Sequence, residues 1–195
     1  PVDRNALALF FRHNCVPAPW TIRDGILKLE PGCKVEVTAS GSISEPHRYW
    51  SYYDVIEQGA TFPGDAEEAV EELDRLLRRS VKRRMIADVP VGAFLSGGID
   101  STAVVAIAQQ VASDTVKTFT IGSPARDYDE SSDARLVAAE LGTDHTELVV
   151  TDADALRVVE QLGVIHDEPF ADSSQIPTRL VSELARRDVT VALSG

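Results

Sequence analysis

Residues 96–101 read SGGIDS, and they combine two hydroxyls, two adjacent glycines and one carboxylate within six positions. A turn of this composition exposes backbone N–H groups, and at a helix N-terminus those groups and the helix dipole favour an anion. Asp100 would repel a polyphosphate unless a cation stood between them. Mg²⁺, which takes carboxylate and phosphate oxygens together, resolves that conflict and makes Asp100 the candidate metal ligand. The plainer alternative is that Asp100 caps a helix and the glycines only make the turn. Neither of two common phosphate loops is present, because GxxxxGK[ST] needs a lysine and GxGxxG a third glycine.

The elements around this turn predict how it is held. The apolar run at 91–95 reads as a buried strand, and 101–112, rich in alanine and valine, as a helix. Further strands are expected at 116–121, 145–150 and 189–193, with helices at 130–141, 152–163 and 174–187. Continuous apolar strands alternating with helices indicate a parallel α/β sheet. Upstream, Asp65 is placed to cap a helix in which Val70, Leu73, Leu77 and Val81 form one apolar stripe.

Residues 1–62 have a different texture. ALALFF reads as a short helix, and GILKLEPGCKVEVTASGSI as two strands about a Pro31–Gly32 turn. Tyr49, Trp50, Tyr52 and Tyr53 are expected to pack between two parts of the chain rather than to serve as a stacking platform. The domain boundary is therefore placed at 62/63, with a small β-containing appendage before it.

Composition excludes several functions. With 31 acidic against 19 basic residues the formal charge is −12, which leaves no basic excess for nonspecific nucleic-acid binding. The cluster RRSVKRR at 78–84 reads as a solvated helix face. Cys15 and Cys33 have no CxxC spacing, and the four histidines have no HxH or HExxH spacing, which argues against zinc and for a reduced, cytoplasmic protein. No apolar run approaches a membrane span. Asp127, Asp129 and Glu130 suit helix capping better than metal binding. In DEPFADSSQ (167–175), a substrate-lining role and capping by Asp172 or Ser173 stand even.

SGGIDS after an apolar strand resembles the pyrophosphate loop of the N-type ATP pyrophosphatases, a group with an adenine nucleotide alpha hydrolase-like, doubly wound parallel sheet. DVPVGAFLSGGIDS, FTIG, YDESSDARLVAAELGTDHTEL and DEPFADSSQIPTRLVSELARRDVTVALSG together resemble the synthetase half of glutamine-dependent asparagine synthetases, from about residue 65 onward. CVPAPWTIRDGILKLEPG is similar to the tail of that family's glutaminase domain and linker.

The resemblance implies ATP and Mg²⁺, with Ser96, Gly97, Gly98, Asp100 and Ser101 on the pyrophosphate and Leu95 and Ile121 bracketing the adenosine. Ordinary core packing is an equal reading of Ile121. Ser194 and Gly195 would provide another nucleotide contact. The implied reaction forms a β-aspartyl-adenylate and amidates it with ammonia drawn from glutamine; relatives amidate other carboxylates or close β-lactam rings. Small-molecule substrates are implied, without nucleic acid or membrane, and a homo-oligomer is compatible. The family's DGGDE-like segment and its N-terminal cysteine are not in these 195 residues. The chain thus reads as an internal piece of a longer enzyme, expected to be inactive by itself; an inactive nucleotide-binding fragment is the alternative reading.

Overall fold

The computed structural model describes residues 1–59, 62–123 and 130–195, and the chain forms two units. The first comprises Pro1–Asp65 together with Leu162–Asp172; the second comprises Ala66–Gln161 and Ser173–Gly195. The division thus differs from one cut at 62/63, because an eleven-residue excursion from the later sequence folds with the N-terminal unit.

The first unit contains α1 (Arg4–His13), the short strands β1 (Cys33–Lys34) and β2 (His47–Arg48), and α2 (Tyr52–Gly59). Asp3 caps α1 by accepting from the N–H groups of Asn5 and Ala6 at 2.8 and 3.2 Å. Ala6, Val16 and Ile22 make its small core. The expected strand pair about Pro31–Gly32 is not formed: β1 pairs antiparallel with β2, while Leu27 makes only an isolated bridge to Trp20. Gly32, at φ +71°, allows this route, since a Cβ there would lie 2.2 Å from the Trp50 carbonyl oxygen. Tyr49, Trp50, Tyr52 and Tyr53 are exposed. Both cysteines are free thiols.

The excursion contains the short helix α7 (Leu162–Ile165) and is tied down by polar contacts. Glu168 accepts from the Ile22 N–H at 2.8 Å and forms an ion pair with Lys28, whose ammonium also donates to the Val16 carbonyl at 2.6 Å. The Ala171 N–H donates to the Asn14 carbonyl at 2.8 Å.

The second unit follows the predicted alternation: α3 (Ala66–Arg84), β3 (Val91–Phe94), α4 (Ile99–Val111), β4 (Lys117–Gly122), α5 (Ser131–Leu141), β5 (Asp144–Val149), α6 (Asp152–Val159), α8 (Gln175–Ala185) and β6 (Val191–Leu193). The helix expected over 152–163 ends at Val159. The four strands are parallel in the order β5-β4-β3-β6.

Side chains alternate across this sheet, as strand geometry requires. Ala93 and Leu95 join Val105, Ala108, Ala134 and Val81 on the face covered by α3, α4 and α5. Phe94 and Phe119 point the other way, onto Leu184, Ala185 and Val181 of α8. Helices therefore cover both faces; the central strand β3 is apolar throughout, as burial on both sides favours, while β4 and β5 carry Thr118, Thr120, His145 and Glu147. The stripe on α3 is only half used: Val81 is buried and Leu77 packs on the core, but Val70 and Leu73 are 65% and 56% exposed. Among the described residues no helix is long and apolar enough to cross a membrane.

Candidate nucleotide site

The chain runs from β3 outward through β4 and β5, then returns to place β6 on the opposite side of β3. The order thus reverses between β3 and β6. In open parallel sheets the crevice beyond the carboxyl ends of the strands at such a reversal is where ligands bind. Two predicted segments arrive there, the turn after β3 and the Ser194–Gly195 pair after β6.

Leu95 is buried and continues the ladder, its N–H donating to the Phe119 carbonyl at 3.0 Å. The chain then turns through Gly97, whose φ of +82° is in the left-handed region. A Cβ on Gly97 would stand 2.7 Å from the Asp133 Cβ and 2.8 Å from the Ala134 nitrogen, so the turn is pressed against the first turn of α5. Gly98 is the N-cap of α4 and has no side chain to satisfy the orphan donors. The N–H groups of Ile99, Asp100 and Ser101 begin the helix, and α4 carries its positive dipole end there. Ser96 and Asp100 are exposed and Ser101 is buried.

Gly195 meets this same turn. A Cβ built on it would lie 2.4 Å from the Ser101 nitrogen and 2.7 Å from the Asp100 carbonyl carbon. Ser194 is exposed beside it, its hydroxyl 3.5 Å from the Gly195 carbonyl oxygen. The structure therefore brings Asp100, Ser101 and Gly195 together from segments nearly a hundred positions apart.

A cavity of about 460 Å³ opens alongside, over the carboxyl ends of β3 and β4. Its size is in the range of small-molecule sites. Leu95, Ser96 and Ile121 line it, as do Phe94 and Phe119; Asp100, Ser194 and Gly195 lie off it. Its far wall was not singled out from the sequence: Thr151 and Asp152 at the start of α6, and Ile176 and Pro177 on α8. TDAD at 151–154 carried a usable signal, a capping box. Asp154 accepts from the Thr151 hydroxyl at 2.6 Å and from its N–H at 3.0 Å, and these bonds hold its carboxyl below the usual carboxylate value.

Other expected groups resolve differently. Glu130 stands at the N-cap of α5 but its side chain makes no capping bond; it lines the cavity instead. Asp127 and Asp129 fall outside the described residues. The N-cap of α8 is Ser174, not Asp172 or Ser173, and it too makes no side-chain capping bond. His166 lies in the first unit with its ring 5.4 Å from that of Phe170. Among the described residues no cluster of three or more His, Cys, Asp or Glu could hold a metal. A single carboxylate beside a phosphate cradle suits Mg²⁺, which commonly uses one or two carboxylates with substrate oxygens.

Fold and site together define a parallel α/β unit with a glycine turn and a cavity at the carboxyl ends of its strands. Residues 72–195 match the model of the asparagine synthase family, and the chain belongs to that family. It is 34% identical over its whole length to the protein named asparagine synthetase 2 (glutamine-hydrolysing) of Methanocaldococcus jannaschii, and 30% identical to asparagine synthetase 1 (glutamine-hydrolysing) of Bacillus subtilis. The chain spans 37% and 30% of the lengths of these two relatives. Among solved structures, an NH3-dependent NAD synthetase from Campylobacter jejuni is similar at 14% identity and a TM-score of 0.46, covering 63% of this chain and 54% of that one.

Proposed function

We propose that the second unit is the nucleotide-activating part of a ligase that converts aspartate to asparagine at the expense of ATP, with ammonia drawn from glutamine in the longer enzyme. The observation that carries this reading is the contact of Gly195 with the Ser101 end of the glycine turn, beside a cavity floored by Leu95 and Ile121. Adenosine would occupy the cavity between Leu95 and Ile121. The pyrophosphate part of ATP would lie on Ser96, Gly97, Gly98, Asp100 and Ser101, with Ser194 and Gly195 closing the α-phosphate side. Family membership supports the reaction class. In the proposed division of the chain, residues 1–62 belong to the end of a glutaminase domain and its linker.

A carboxylate resists ammonia because it has no good leaving group. Transfer of AMP to the β-carboxylate forms a mixed anhydride and releases pyrophosphate. The N–H groups at the start of α4 face the charge that builds on that departing group, and fixed dipoles of this kind lower a barrier without reorganising. Asp100 would hold Mg²⁺ against the phosphate oxygens, where the cation neutralises developing charge. Ammonia then attacks the acyl carbon and AMP leaves.

The test uses the full-length enzyme with ATP, ammonium and aspartate labelled with ¹⁸O in its β-carboxylate. The reading expects aspartate-dependent pyrophosphate release and one ¹⁸O transferred to AMP. Release of ADP and phosphate, or unlabelled AMP, would overturn the adenylate. Activity with another carboxylate in place of aspartate would overturn the substrate.

A further inference from the structure

Helix α3 carries its charges in two blocks. Every charged residue before position 75 is acidic (Glu67, Glu68, Glu71, Glu72 and Asp74), and every one from 75 onward is basic (Arg75, Arg78, Arg79, Lys82, Arg83 and Arg84). The helix dipole favours such charges only in the terminal turns, so it does not account for a division at the middle. Bonds within the helix use part of the set. Arg75 donates to Glu72 at 2.6 and 2.5 Å, and Arg78 to Asp74 at 2.6 Å. Arg79, Lys82 and Arg83 have no ion pair among the described residues. Reflection about position 75 carries Glu67, Glu68, Glu71 and Glu72 onto Arg83, Lys82, Arg79 and Arg78. The helix is therefore complementary in charge to a reversed copy of itself.

Its apolar residues divide as well. Leu77 packs on the core and Val81 is buried, so the second half of α3 faces inward along that line. Ala69, Leu73 and Leu76 recur at steps of four and three, which sets them on a neighbouring face. All three are exposed, Leu73 at 56% and Leu76 at 38%.

We propose that this face of α3 is a docking surface for a second copy of the chain, the two α3 helices lying antiparallel about a two-fold axis near position 75. A two-fold contact uses one patch twice, so the patch must complement itself. This one does so in charge and in apolar content. Helical periodicity gives the register. Leu73 lies opposite Leu76 of the second copy, Ala69 lies opposite its Ser80, and Glu72 meets its Arg79 on each side of the axis. The Glu72 carboxylate has lone pairs for both Arg75 of its own helix and the incoming Arg79. A parallel alignment would set Glu72 against Glu72 and Arg79 against Arg79, and that repulsion selects the antiparallel one. One helix from each copy makes a small contact, so dissociation is expected in the micromolar range. The inference stands on α3 alone and is independent of the nucleotide reading.

The experiment uses the full-length enzyme with Glu72→Arg and Arg79→Glu, followed by sedimentation over a range of concentrations. Each variant alone sets like charges together twice and should self-associate at least about tenfold more weakly. An equimolar mixture of the two should recover the parent's association, because each then supplies the charge the other lost. Cysteine pairing reads the register directly. Oxidation of Leu73→Cys mixed with Leu76→Cys should give cross-linked dimers in clear excess over either variant alone and over the unsubstituted enzyme. Stronger cross-linking of Leu73→Cys with itself would mean a parallel contact and would overturn the proposal. Unchanged association in both charge variants, with no excess cross-linking in the mixture, would overturn it as well. A lower Tm in Glu72→Arg at unchanged association would assign the face to a segment of the longer chain, and not to a second copy.

Discussion

The backbone of Gly195 rests on the backbone of Ser101, so closely that one added methyl carbon would stand 2.4 Å from the Ser101 nitrogen. Nothing flexible separates the two segments, so the spacing is set by main chain alone. Gly195→Ala should push the end of β6 away from the start of α4. A displacement of about 1 Å at a reacting site can cost on the order of a hundredfold in turnover. Pyrophosphate release by the full-length variant measures this, and activity within about threefold of the parent would contradict the contact.

Gly97 is constrained from two directions. Its φ of +82° disfavours any side chain, and Asp133 and Ala134 occupy the space a Cβ would need. Gly97→Ala should cost about 1–3 kcal/mol of stability, the scale of a strained backbone residue. Thermal unfolding followed beside a control at Gly163, where an added Cβ would meet no other described residue within 4 Å, reads the difference.

Asp100 is exposed in the first turn of α4. Asp100→Asn keeps the shape and removes the charge. Turnover of the full-length enzyme should fall by about a hundredfold, the scale of losing a charge-stabilising group. The loss should be greatest at limiting Mg²⁺; wild-type activity there would remove Asp100 from the metal site.

His145 supplies a pH dependence. Its Nδ1 lies 2.9 Å from the hydroxyl of the fully buried Thr118, and its Nε2 is buried with no partner among the described residues. Burial lowers its pKa from 6.5; Glu147 opposes that shift and Arg135 adds to it. The folded state thus holds the imidazole neutral while the unfolded chain binds a proton below about 6.5. Stability from this group is full above that value and is lost as pH falls toward the lower folded value. Denaturation midpoints from pH 8 to 5 should fall less steeply in His145→Asn than in the parent.

The Glu168 carboxylate is shared between the Ile22 N–H and the Lys28 ammonium. Glu168→Ala leaves that N–H without its acceptor and takes the carboxylate from an ammonium that keeps the Val16 carbonyl, at a cost of about 1–3 kcal/mol. Faster hydrogen exchange confined to residues 14–28 and 162–172 is expected. Exchange unchanged there would mean the excursion is held by other contacts.

What the sequence made legible was local. The apolar run at 91–95, the glycine pair and the alanine-rich helix state their structures within a few positions, and so the turn and its neighbours form as expected. β3 read correctly because burial on both faces leaves an unbroken apolar run, and β4 and β5 because β-branched residues such as Thr118, Thr120, Ile121 and Thr146 lie between helical patterns. The 162–172 excursion was hidden, since Glu168 finds Lys28 and Ile22 across about 140 positions and no periodicity reports it. The β1–β2 pair is two residues long, too short to show alternation, while the alternating residues 26–30 stay unpaired as a strand. The cavity wall from α6 and α8 was missed for a related reason: Thr151 and Ile176 acquire their role only when those helices pack.

The pairing of β3 with β6 joins Val91 to Val191, whereas β3 and β4 join residues 25 positions apart, Gly92 with Lys117. Closing the longer loop costs about 1.2 kcal/mol more in chain entropy, two doublings of length. Local pairings form early and distant ones late. During synthesis, therefore, β3, β4 and β5 can assemble while the chain that will become β6 is still unmade. Gly195 then reaches Ser101 only after those three strands are available. A nascent chain would show the glycine turn well before the β6 segment arrives to meet it and, on the function proposed above, would gain nucleotide affinity only after that arrival.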